Sequence, residues 1–571
     1  MSSYLAHRMA PSHRAPHPAL IACVLLLAVW PAAAWGQVPA VPPERPDDPA
    51  VEPPASHAAT APASLVTFGR FASIQVNVNA AGANTVGDAA NEPSIVVDPA
   101  NHSHLAIGWR QFDSKGSNFR QAGVGVSTNG GLSWKAGKID AGVFRSDPVL
   151  SIDSDGDFFY ASLDGNLHAQ IFPSADHGTT WGAAVAAYGG DKPWITFDRT
   201  GGPGRDHVYE AWNTSGNTYF PNTFDRSVDD GASFESPSAL TGSPVFGTLD
   251  VAADGTLYVA GTSPGGIVVA RSLDAQNSPG APTFVTTTVD LGGAIRGGVP
   301  PNPEGLLGQL WIAVDRSTGP TAGWIYVLAS VITPADPLDV NFIRSTDGGA
   351  TWSTPVRVND DPTGTRAYQW FGTLSVSPDG RLDAVWNDTR GSADSTHCAL
   401  YYSFSTDGGT TWSANEQASP VWNSSVGYPK QNKIGDYYQM VSDPGGADLA
   451  YAATFNNEQD VYYLRLTGPT TAVETAPTPR FGMHPAQPNP FGSVMTARYE
   501  VPAGGASIAL EVIDCAGRRV ATLASGFRSP GAYSATWTGT DVAGRAVAPG
   551  IYLLRYTTPG RVETRKTVLM R

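Results

Sequence analysis

A chain of 571 residues is too long for one ordinary domain, and its 41% hydrophobic content with only 15% charged residues supports a large buried core. Its 62 glycines and 46 prolines favour many short strands and turns, so a helical protein is excluded. The formal net charge is −15, although the segment from Arg480 to Arg571 has 11 basic and 5 acidic residues. An acidic body repels nucleic acid and anionic membranes, and it tolerates neutral sugars or cations.

The first 36 residues predict an export signal. Arg8 and Arg14 precede an apolar run from Ala19 to Trp30, and small residues follow it. The run is too short for a comfortable membrane span. Residues 37–64 are rich in Pro and Ala and predict a disordered linker.

The cysteines predict no disulfide framework. Cys23 lies early in the apolar run of the export signal, whereas a lipidated cysteine should follow such a run. Removal of the signal leaves Cys398 and Cys515, which fall in different predicted domains.

An eight-residue motif of the form Ser-x-Asp-x-Gly-x-x-Trp recurs along the middle of the chain, most clearly at Ser345–Trp352. Its Ser and Asp side chains can hydrogen-bond backbone amides inside a turn, and its Gly permits a positive φ. We therefore expect a β-hairpin corner whose aromatic residue packs against the neighbouring unit. The other copies are Ser127–Trp134, Ser174–Trp181, Ser227–Phe234 and Ser405–Trp412, with a worn copy that begins at Ser272.

This motif resembles the Asp box, or BNR repeat, of the sialidase-type β-propellers. The resemblance extends over roughly residues 65 to 470. In that family the box is a structural corner on the face away from the active site, which implies an architectural role for its acidic positions. These positions are Asn129, Asp176, Asp229, Asp347 and Asp407.

A second pattern predicts seven sheets. A short apolar strand ending in Asp, a turn, and a strand rich in Tyr, Ala and Trp recur seven times, with the Asp at 98, 153, 198, 254, 315, 379 and 443. The last unit lacks its outermost strand, so we expect Phe71–Asn79 to pair with Val461–Leu466 and close a ring. The predicted fold over residues 65–467 is an all-β, seven-bladed β-propeller. Six blades is the alternative, because the fourth motif copy is decayed.

The starts of the first strands and the ends of the second strands share one mouth of the predicted ring, where propellers usually place their sites. Carboxylates gathered there with Arg, Trp and Tyr suit sugar recognition. The alternative is that they cap strand ends and form structural ion pairs. The ligand-binding candidates are Glu92, Trp109, Asn213, Asp388, Asp436 and Tyr438.

The resemblance to sialidases also implies catalytic roles, because those enzymes use three arginines on a carboxylate, a Tyr–Glu nucleophile pair and an Asp acid/base. Arg110 and Arg390 would be two of the arginines, Tyr437 or Tyr438 the nucleophile, and Asp147 or Asp191 the acid. Candidates for the third arginine are Arg145, Arg296 and Arg366.

The chain departs from the sialidase pattern at two points. The Phe/Tyr-Arg-Ile-Pro signature is missing where the chain has Asn91–Ile95, and spacing reveals no Glu partner for the tyrosine. Three functions therefore stay open: binding of glycans or glycoproteins at the mouth, hydrolysis of the exo-α-sialidase type, and a structural surface adhesin.

No cofactor and no metal ligand are expected. His168, His177 and His207 show no metal-ligand spacing. Asp153–Asp157 has the composition of a calcium loop, which leaves a structural Ca²⁺ as the alternative. An Asp-Gly hairpin turn explains it equally, because Asp254-Gly255 occupies the same turn elsewhere.

The tail predicts a separate β-sandwich of about seven strands at residues 485–571, after a Pro/Thr-rich linker at 468–484. Pro488–Phe491, Ile513–Val520 and the terminal Arg565–Met570 resemble the type A C-terminal sorting domain of type IX secretion, which is related to the immunoglobulin-like domain of flagellar hook-cap proteins. The resemblance implies recognition by outer-membrane export machinery. We therefore expect a secreted or cell-surface protein of a Gram-negative-type bacterium.

Overall fold

A computed structural model describes residues 59–467, 483, 486–501, 506–528, 531–558 and 561–570. All the regular elements in these ranges are β-strands, and none of the ranges holds a helix that could span a membrane. The described residues fall into two compact units, and the boundary in the sequence lies between residues 468 and 469. The predicted export signal, Cys23, most of the linker 37–64 and nearly all of the linker 468–484 lie outside the described residues.

Seven antiparallel sheets follow one another in the N-terminal unit. Sheet 1 comprises Ala89–Val97, Leu105–Phe112, Gln121–Ser127 and Lys135–Lys138; sheet 2 comprises Ser146–Ile152, Phe158–Leu163, Ala169–Ser174 and Val185–Ala186; sheet 3 comprises Trp194–Phe197, Val208–Ala211 and Phe224–Ser227; sheet 4 comprises Leu249–Val251, Leu257–Ser263, Gly266–Ser272 and Val285–Val289. Sheet 5 comprises Trp311–Val314, Ile325–Val331, Asp339–Ser345 and Val356–Arg357; sheet 6 comprises Gln369–Val376, Leu382–Asp388, His397–Ser405, Glu416–Gln417 and Trp422–Asn423; sheet 7 comprises Gln439–Asp443, Gly446–Ala453, Asp460–Leu466, Phe71–Gln75 and Leu65–Phe68.

Two further strand pairs lie outside these sheets. Gly297–Val299 pairs with Asn302–Leu306 in the connection between sheets 4 and 5, and we call it the covering hairpin. Thr60–Pro62 pairs with Ala83–Thr85. The sequence places residues 60–62 in the linker because Pro and Ala carry no strand signal, but their backbone groups pair with a neighbouring segment.

The predicted closing strand is confirmed. Phe71–Gln75 pairs antiparallel with the last strand of sheet 7, with Ser73 opposite Leu464. The amide of Val76 also donates to the Val461 carbonyl at 2.8 Å. This strand thereby covers the outer edge of Asp460–Leu466, and Leu65–Phe68 becomes the outermost strand of sheet 7.

The first strands of the seven sheets contact one another in cyclic order, from sheet 1 through sheet 7 and back to sheet 1. Aromatic side chains fill the middle of this ring. The Trp194 ring lies 5.2 Å from that of Trp311 and 5.3 Å from that of Tyr437, edge to face in both cases. The interior is therefore a packed core.

The hydrogen bonds predicted for the repeated motif are present. In the copy at Ser345–Trp352 the Ser345 hydroxyl accepts from the Gly349 amide at 2.8 Å, and the Asp347 carboxylate accepts from the Thr351 amide at 2.9 Å. Gly348 and Gly349 have φ values of 70° and 84°. The corner aromatic also packs as predicted, since the Trp412 ring of sheet 6 lies 5.3 Å from the Phe342 ring of sheet 5.

The worn copy keeps the same corner. The Ser272 hydroxyl donates to Asp274 at 2.8 Å, and Asp274 accepts from both the amide and the hydroxyl of Thr283. Thr283 replaces the Ser or Thr that stands four residues after the acidic position in the other copies. A longer loop therefore hides this corner from a pattern search without removing its hydrogen bonds.

The described residues of the C-terminal unit form six strands in two sheets. One sheet pairs Met495–Val501 with Gly531–Trp537, and the other has the order Arg519–Arg528, Ala506–Ile513, Gly550–Thr558 and Arg561–Leu569. Its buried core includes Phe491, whose ring lies 5.5 Å from that of Trp537. The Asn489 side chain connects the segment before Met495–Val501 to the last strand, because it donates to the Lys566 carbonyl and accepts from the Val568 amide.

Candidate functional site

In every sheet of the ring, a residue near the start of the first strand has a positive φ angle. Such a φ is unfavourable for a residue with a Cβ, so it marks a specific local requirement. In sheets 1, 2 and 6 it accompanies a shift of strand register, for example between Asn91 and Ser94 in sheet 1. The residues are Glu92, Asp147, Lys192, Phe246, Gly308, Phe371 and Gly435.

Six charged side chains from sheets 1, 2, 3 and 7 meet at these strand starts; we call them the buried ion network. They form a chain of ion pairs in which basic and acidic groups alternate. The members are Glu92, Arg110, Asp147, Lys192, Lys433 and Asp436, and all of them are buried.

Two lysines hold the network together. The Lys192 ammonium lies 2.8 Å from Asp436 and 3.2 Å from Asp147. The Lys433 ammonium lies 2.8 Å from Asp436 and 3.3 Å from Glu92. Arg110 extends the chain, with its Nε 3.1 Å from Glu92. Each acid therefore faces at least one cation, as buried charges require.

The covering hairpin contributes directly to the network. Its Leu306 amide donates to Asp436 Oδ1 at 2.7 Å, and its Asn302 side chain donates to the Gly435 carbonyl at 2.7 Å. Asn302 Oδ1 also accepts from the Ile434 amide. The connection between sheets 4 and 5 thus fixes the loop that carries Lys433 and Asp436, and it separates their charges from solvent.

Burial is the main influence on the pKa values of Glu92 and of the neighbouring Tyr437. Loss of hydration raises the pKa of Glu92 to about 8, against the opposing effect of Arg110 and the two lysines. The pKa of the Tyr437 phenol is raised well above its ordinary value, first by burial and then by the nearby charges of Glu92 and Asp147. Its hydroxyl donates to the Pro148 carbonyl at 2.9 Å. Tyr437 is therefore a neutral, hydrogen-bonded phenol.

Asp191 and Asn213 lie at the margin of the network. Asp191 is 3.9 Å from the Lys192 ammonium and accepts from the Asn213 side chain at 3.2 Å. Asn213 in turn accepts from the Phe246 amide. The two residues thus link the strand starts of sheets 3 and 4.

The aromatic binding candidates Trp109 and Tyr438 are buried. The Trp109 indole donates to Gln111 at 2.7 Å, and the Tyr438 hydroxyl donates to the Ala452 carbonyl. Trp109 is 1% exposed and Tyr438 is fully covered. Neither ring presents a face to solvent on which a sugar could stack.

The structure does not bring Arg390 to Arg110. Arg390 Nε lies 2.8 Å from the Asp388 carboxylate, and Arg390 Nη1 lies 2.5 Å from the Asp360 carboxylate. Its guanidinium also stacks over the Tyr401 ring, 4.3 Å from the centroid. These partners all belong to sheet 6 and the loop before it, so the two arginines serve separate clusters.

Among the described residues, none of the three candidates for the third arginine forms an ion pair with an acid of the network. Arg145 pairs with Asp140 at 2.5 Å, and the amide of Arg366 donates to Asp336. Arg296 accepts the Leu307 amide through its backbone carbonyl.

Lys192, Lys433 and the covering hairpin were not identified from the sequence. Both lysines stand close to a candidate acid, since Lys192 follows Asp191 and Lys433 precedes Asp436 by three residues. That proximity was the available signal. The hairpin gave none, because its Gly-Gly-Val and Asn-Pro-Glu segments lack strand periodicity.

A cleft opens at the same end of sheet 4, beside the covering hairpin. Its volume is about 440 Å³, and its wall includes Thr262, Ser263, Asp290 and the glycines at 292 and 293. Asp290 is exposed, and its carboxylate accepts from the Gly292 amide at 2.7 Å. The Thr262 hydroxyl is buried and has no hydrogen-bond partner among the described residues. Ile267, Val289 and Ile295 supply an apolar floor.

Comparisons with known proteins identify one domain of this all-β chain. Residues 491–559 match the FlgD Ig-like domain, so a domain of that family lies at its C-terminal end. No curated protein matches the chain.

Solved structures resemble the chain only distantly. A protein of unknown function from Dyadobacter fermentans is 13% identical, with a TM-score of 0.39, 69% of this chain covered and 98% of the other. PorZ, a surface component of the type-IX secretion system of Porphyromonas gingivalis, is 14% identical, with a TM-score of 0.36 and coverages of 82% and 58%. Trypanosoma rangeli sialidase is 11% identical, with a TM-score of 0.31 and coverages of 89% and 90%. Similarity at this level carries no argument about activity.

Proposed function

We propose that the N-terminal unit is a seven-bladed β-propeller built on Asp-box corners. Three observations support this architecture: seven successive sheets, cyclic contacts between their first strands, and a closing strand from the start of the chain. The six-bladed alternative would require one of the seven sheets to lie outside the ring.

We further propose that this propeller is a non-catalytic protein that binds glycans or glycoproteins on its mouth side. The carrying observation is the buried ion network, in which Glu92, Asp147 and Asp436 are all paired with cations and covered. A retaining glycosidase needs two carboxyl groups that reach the sugar from opposite sides. Acids that neutralise lysines inside the protein instead hold neighbouring blades together.

The cleft of sheet 4 supports a binding site on that side. A volume of about 440 Å³ lies within the range of small-ligand pockets. The exposed Asp290 carboxylate can accept hydrogen bonds from sugar hydroxyls.

A glycan array and a panel of fluorogenic glycosides test this proposal with the purified full chain. We expect retention of particular glycans without release of any leaving group. Asp290→Asn should weaken retention, whereas Asp254→Asn should not. Asp254 is a matched control, because it is exposed at the other end of the same sheet and also accepts an amide two residues ahead. Equal glycan retention by both variants would contradict the assignment to this cleft.

A second candidate, an exo-α-sialidase, is favoured by one observation. Glu92 and Asp147 both act electrostatically on Tyr437, so a tyrosine, a glutamate and an aspartate gather near Arg110. Catalysis would require the covering hairpin to open. Release from a fluorogenic sialoside that Tyr437→Phe abolishes, with Arg390→Ala still active, would establish this candidate and overturn the non-catalytic one.

For the C-terminal unit we propose a role as an export signal read by outer-membrane machinery, which makes the protein secreted or attached to the cell surface. The motif resemblance and the FlgD Ig-like match support this assignment. Expression in a host with type IX secretion tests it. The full chain should reach the surface or medium, whereas a chain ending at residue 467 should stay in the periplasm; equal export of both would contradict the proposal.

A further inference from the structure

His177 occupies a backbone position that three other copies of the motif fill with glycine, whereas Asp230 fills it in sheet 3 with the same φ of 57°. It is the fourth residue of the corner Ser174–Trp181, and its φ is 57°. Gly130, Gly348 and Gly408 stand at the same place in sheets 1, 5 and 6, with φ between 67° and 70°. A side chain costs free energy in this conformation. The imidazole therefore calls for a compensating interaction.

The His177 side chain reaches across to sheet 1. Its Nε2 lies 3.4 Å from Asp98 Oδ2, and His104 Nδ1 lies 3.7 Å from the same oxygen. The two imidazole centroids are 4.2 Å apart. One ligand atom from each of the three residues lies within 4.8 Å of the other two.

Neither histidine contact amounts to a strong hydrogen bond. His104 Nδ1 is buried and has no hydrogen-bond partner among the described residues. Asp98 uses its other oxygen, Oδ1, to accept from the Ala100 amide at 2.8 Å. Oδ2 and the two ring nitrogens thus converge on one point without satisfying one another.

We propose that Asp98, His104 and His177 bind a divalent transition-metal ion of the zinc type. Two imidazoles and a carboxylate form a donor set that Zn²⁺ takes in three-ligand sites. Ligand atoms about 2.0–2.1 Å from a tetrahedral ion lie roughly 3.4 Å apart, so the distances to Asp98 already match. The histidine side chains are 27% and 35% exposed, which leaves a fourth position for water.

A second cluster provides an internal comparison. His102 lies 2.9 Å from Asp448 and 3.5 Å from Asp443, on the same side of the ring. Arg465 occupies both of these carboxylates, at 2.8 Å and 2.6 Å. A metal ion there would have to displace a guanidinium. We therefore assign the ion to the cluster without an arginine.

Titration of the metal-free full chain with Co²⁺, followed by its visible absorption, tests the proposal. We expect one tightly bound ion per chain with the strong absorption of a four-coordinate site, displaced by Zn²⁺. His177→Gly should weaken Co²⁺ binding more than about tenfold, because it removes a direct ligand and not merely a supporting contact. His104→Gln should have a similar effect, and His102→Gln should leave the binding unchanged.

The variant at 177 also guards against loss of folding. Glycine fills this position in three other corners, so the metal-free variant should unfold at a temperature no lower than the wild type. Three results would overturn the proposal: no bound Co²⁺ in the wild type, unchanged affinity in His177→Gly, or loss of binding only in His102→Gln.

Discussion

Two lysine side chains of the buried ion network contribute to folding stability by pairing with buried acids. Lys192 and Lys433 share Asp436, and each also contacts a second acid. An acid left unpaired inside a protein keeps its desolvation cost and loses its compensation. The energetic role of each lysine is therefore read most directly by its removal.

Replacement of Lys192 by Met should destabilise the N-terminal unit by about 3–5 kcal/mol, the usual cost of breaking a buried ion pair. Urea unfolding followed by tryptophan fluorescence measures this change. Lys138→Met is the control, because Lys138 pairs with Asp113 at 2.6 Å but is a quarter exposed. Its loss should cost less than about 1 kcal/mol. Equal effects of the two substitutions would contradict the structural role of the network.

Two buried carboxyl groups in sheet 3 make stability depend on pH. Glu210 and Asp225 are directly opposite on neighbouring strands. Burial raises the pKa of Asp225 to about 8, and burial together with the charge of Asp225 raises the pKa of Glu210 well above its ordinary value. The folded protein therefore keeps protons on this pair at pH values where the unfolded chain, with carboxyl pKa values of roughly 4, has already released them. The contribution of this pair to the free energy of unfolding should therefore be greatest below about pH 4. It should fall as the pH rises toward 8.

Glu210→Gln should reduce this pH dependence, because it removes one of the two acids. The loss of unfolding free energy between pH 5 and pH 8 should become smaller than in the wild type by on the order of a few kcal/mol. Urea midpoints at the two pH values measure it. Asp155→Asn, at a side chain that is 77% exposed, should leave the slope unchanged; a slope unaffected by Glu210→Gln would refute the assignment.

The repeated corner is one element used with different neighbours. Gly349 and Gly409 hold the same place in their motifs, with φ of 84° and 78°. A Cβ on Gly409 would overlap the Phe342 ring, whereas one on Gly349 would lie 3.4 Å from Tyr258. The backbone requirement is thus shared, but the packing behind it differs.

Gly409→Ala should therefore destabilise the protein more than Gly349→Ala, by roughly 1–3 kcal/mol, the range for overpacking. Both variants incur the same cost of a positive φ, so their difference isolates the steric contribution. Thermal unfolding of the two proteins side by side provides the measurement. Equal melting temperatures would show that the Phe342 ring moves aside freely.

At the scale of the whole molecule, the ring depends on a strand from the opposite end of the sequence. Ser73, Ile74 and Gln75 pair with the last strand of sheet 7. Without them that sheet would expose an unpaired edge, which invites pairing with another chain. The first residues after the linker are therefore part of the fold.

A chain that begins at residue 80 should unfold at a lower temperature and associate, because the outer edge of sheet 7 is left open. Size-exclusion chromatography with light scattering detects the association. A chain that begins at residue 64 is the control, since it keeps the closing strand. A monomeric, equally stable shorter chain would show that closure contributes little.

The local structure of the repeated corners and of the closing strand could be predicted from the sequence alone. Ser, Asp and Gly at fixed spacing specify the corner hydrogen bonds within eight residues, and alternation identified Phe71–Asn79 as a strand without a partner. Strand alignment also placed Glu92, Asp147 and Asp436 at one entrance, and they lie there together. These inferences succeed because the relevant contacts are either local or fixed by the repeat.

The role of Glu92, Asp147 and Asp436 could be inferred only from the folded protein. Lys192 and Lys433 approach these acids from the segments before sheets 3 and 7, and the covering hairpin contacts Asp436. Groups that the sequence alone would offer to a ligand are therefore paired inside the protein. The convergence of Asp98, His104 and His177 was equally hidden, because it joins two sheets across a boundary that spacing does not encode. Burial and charge pairing depend on groups far apart in the chain, and no local pattern carries that information.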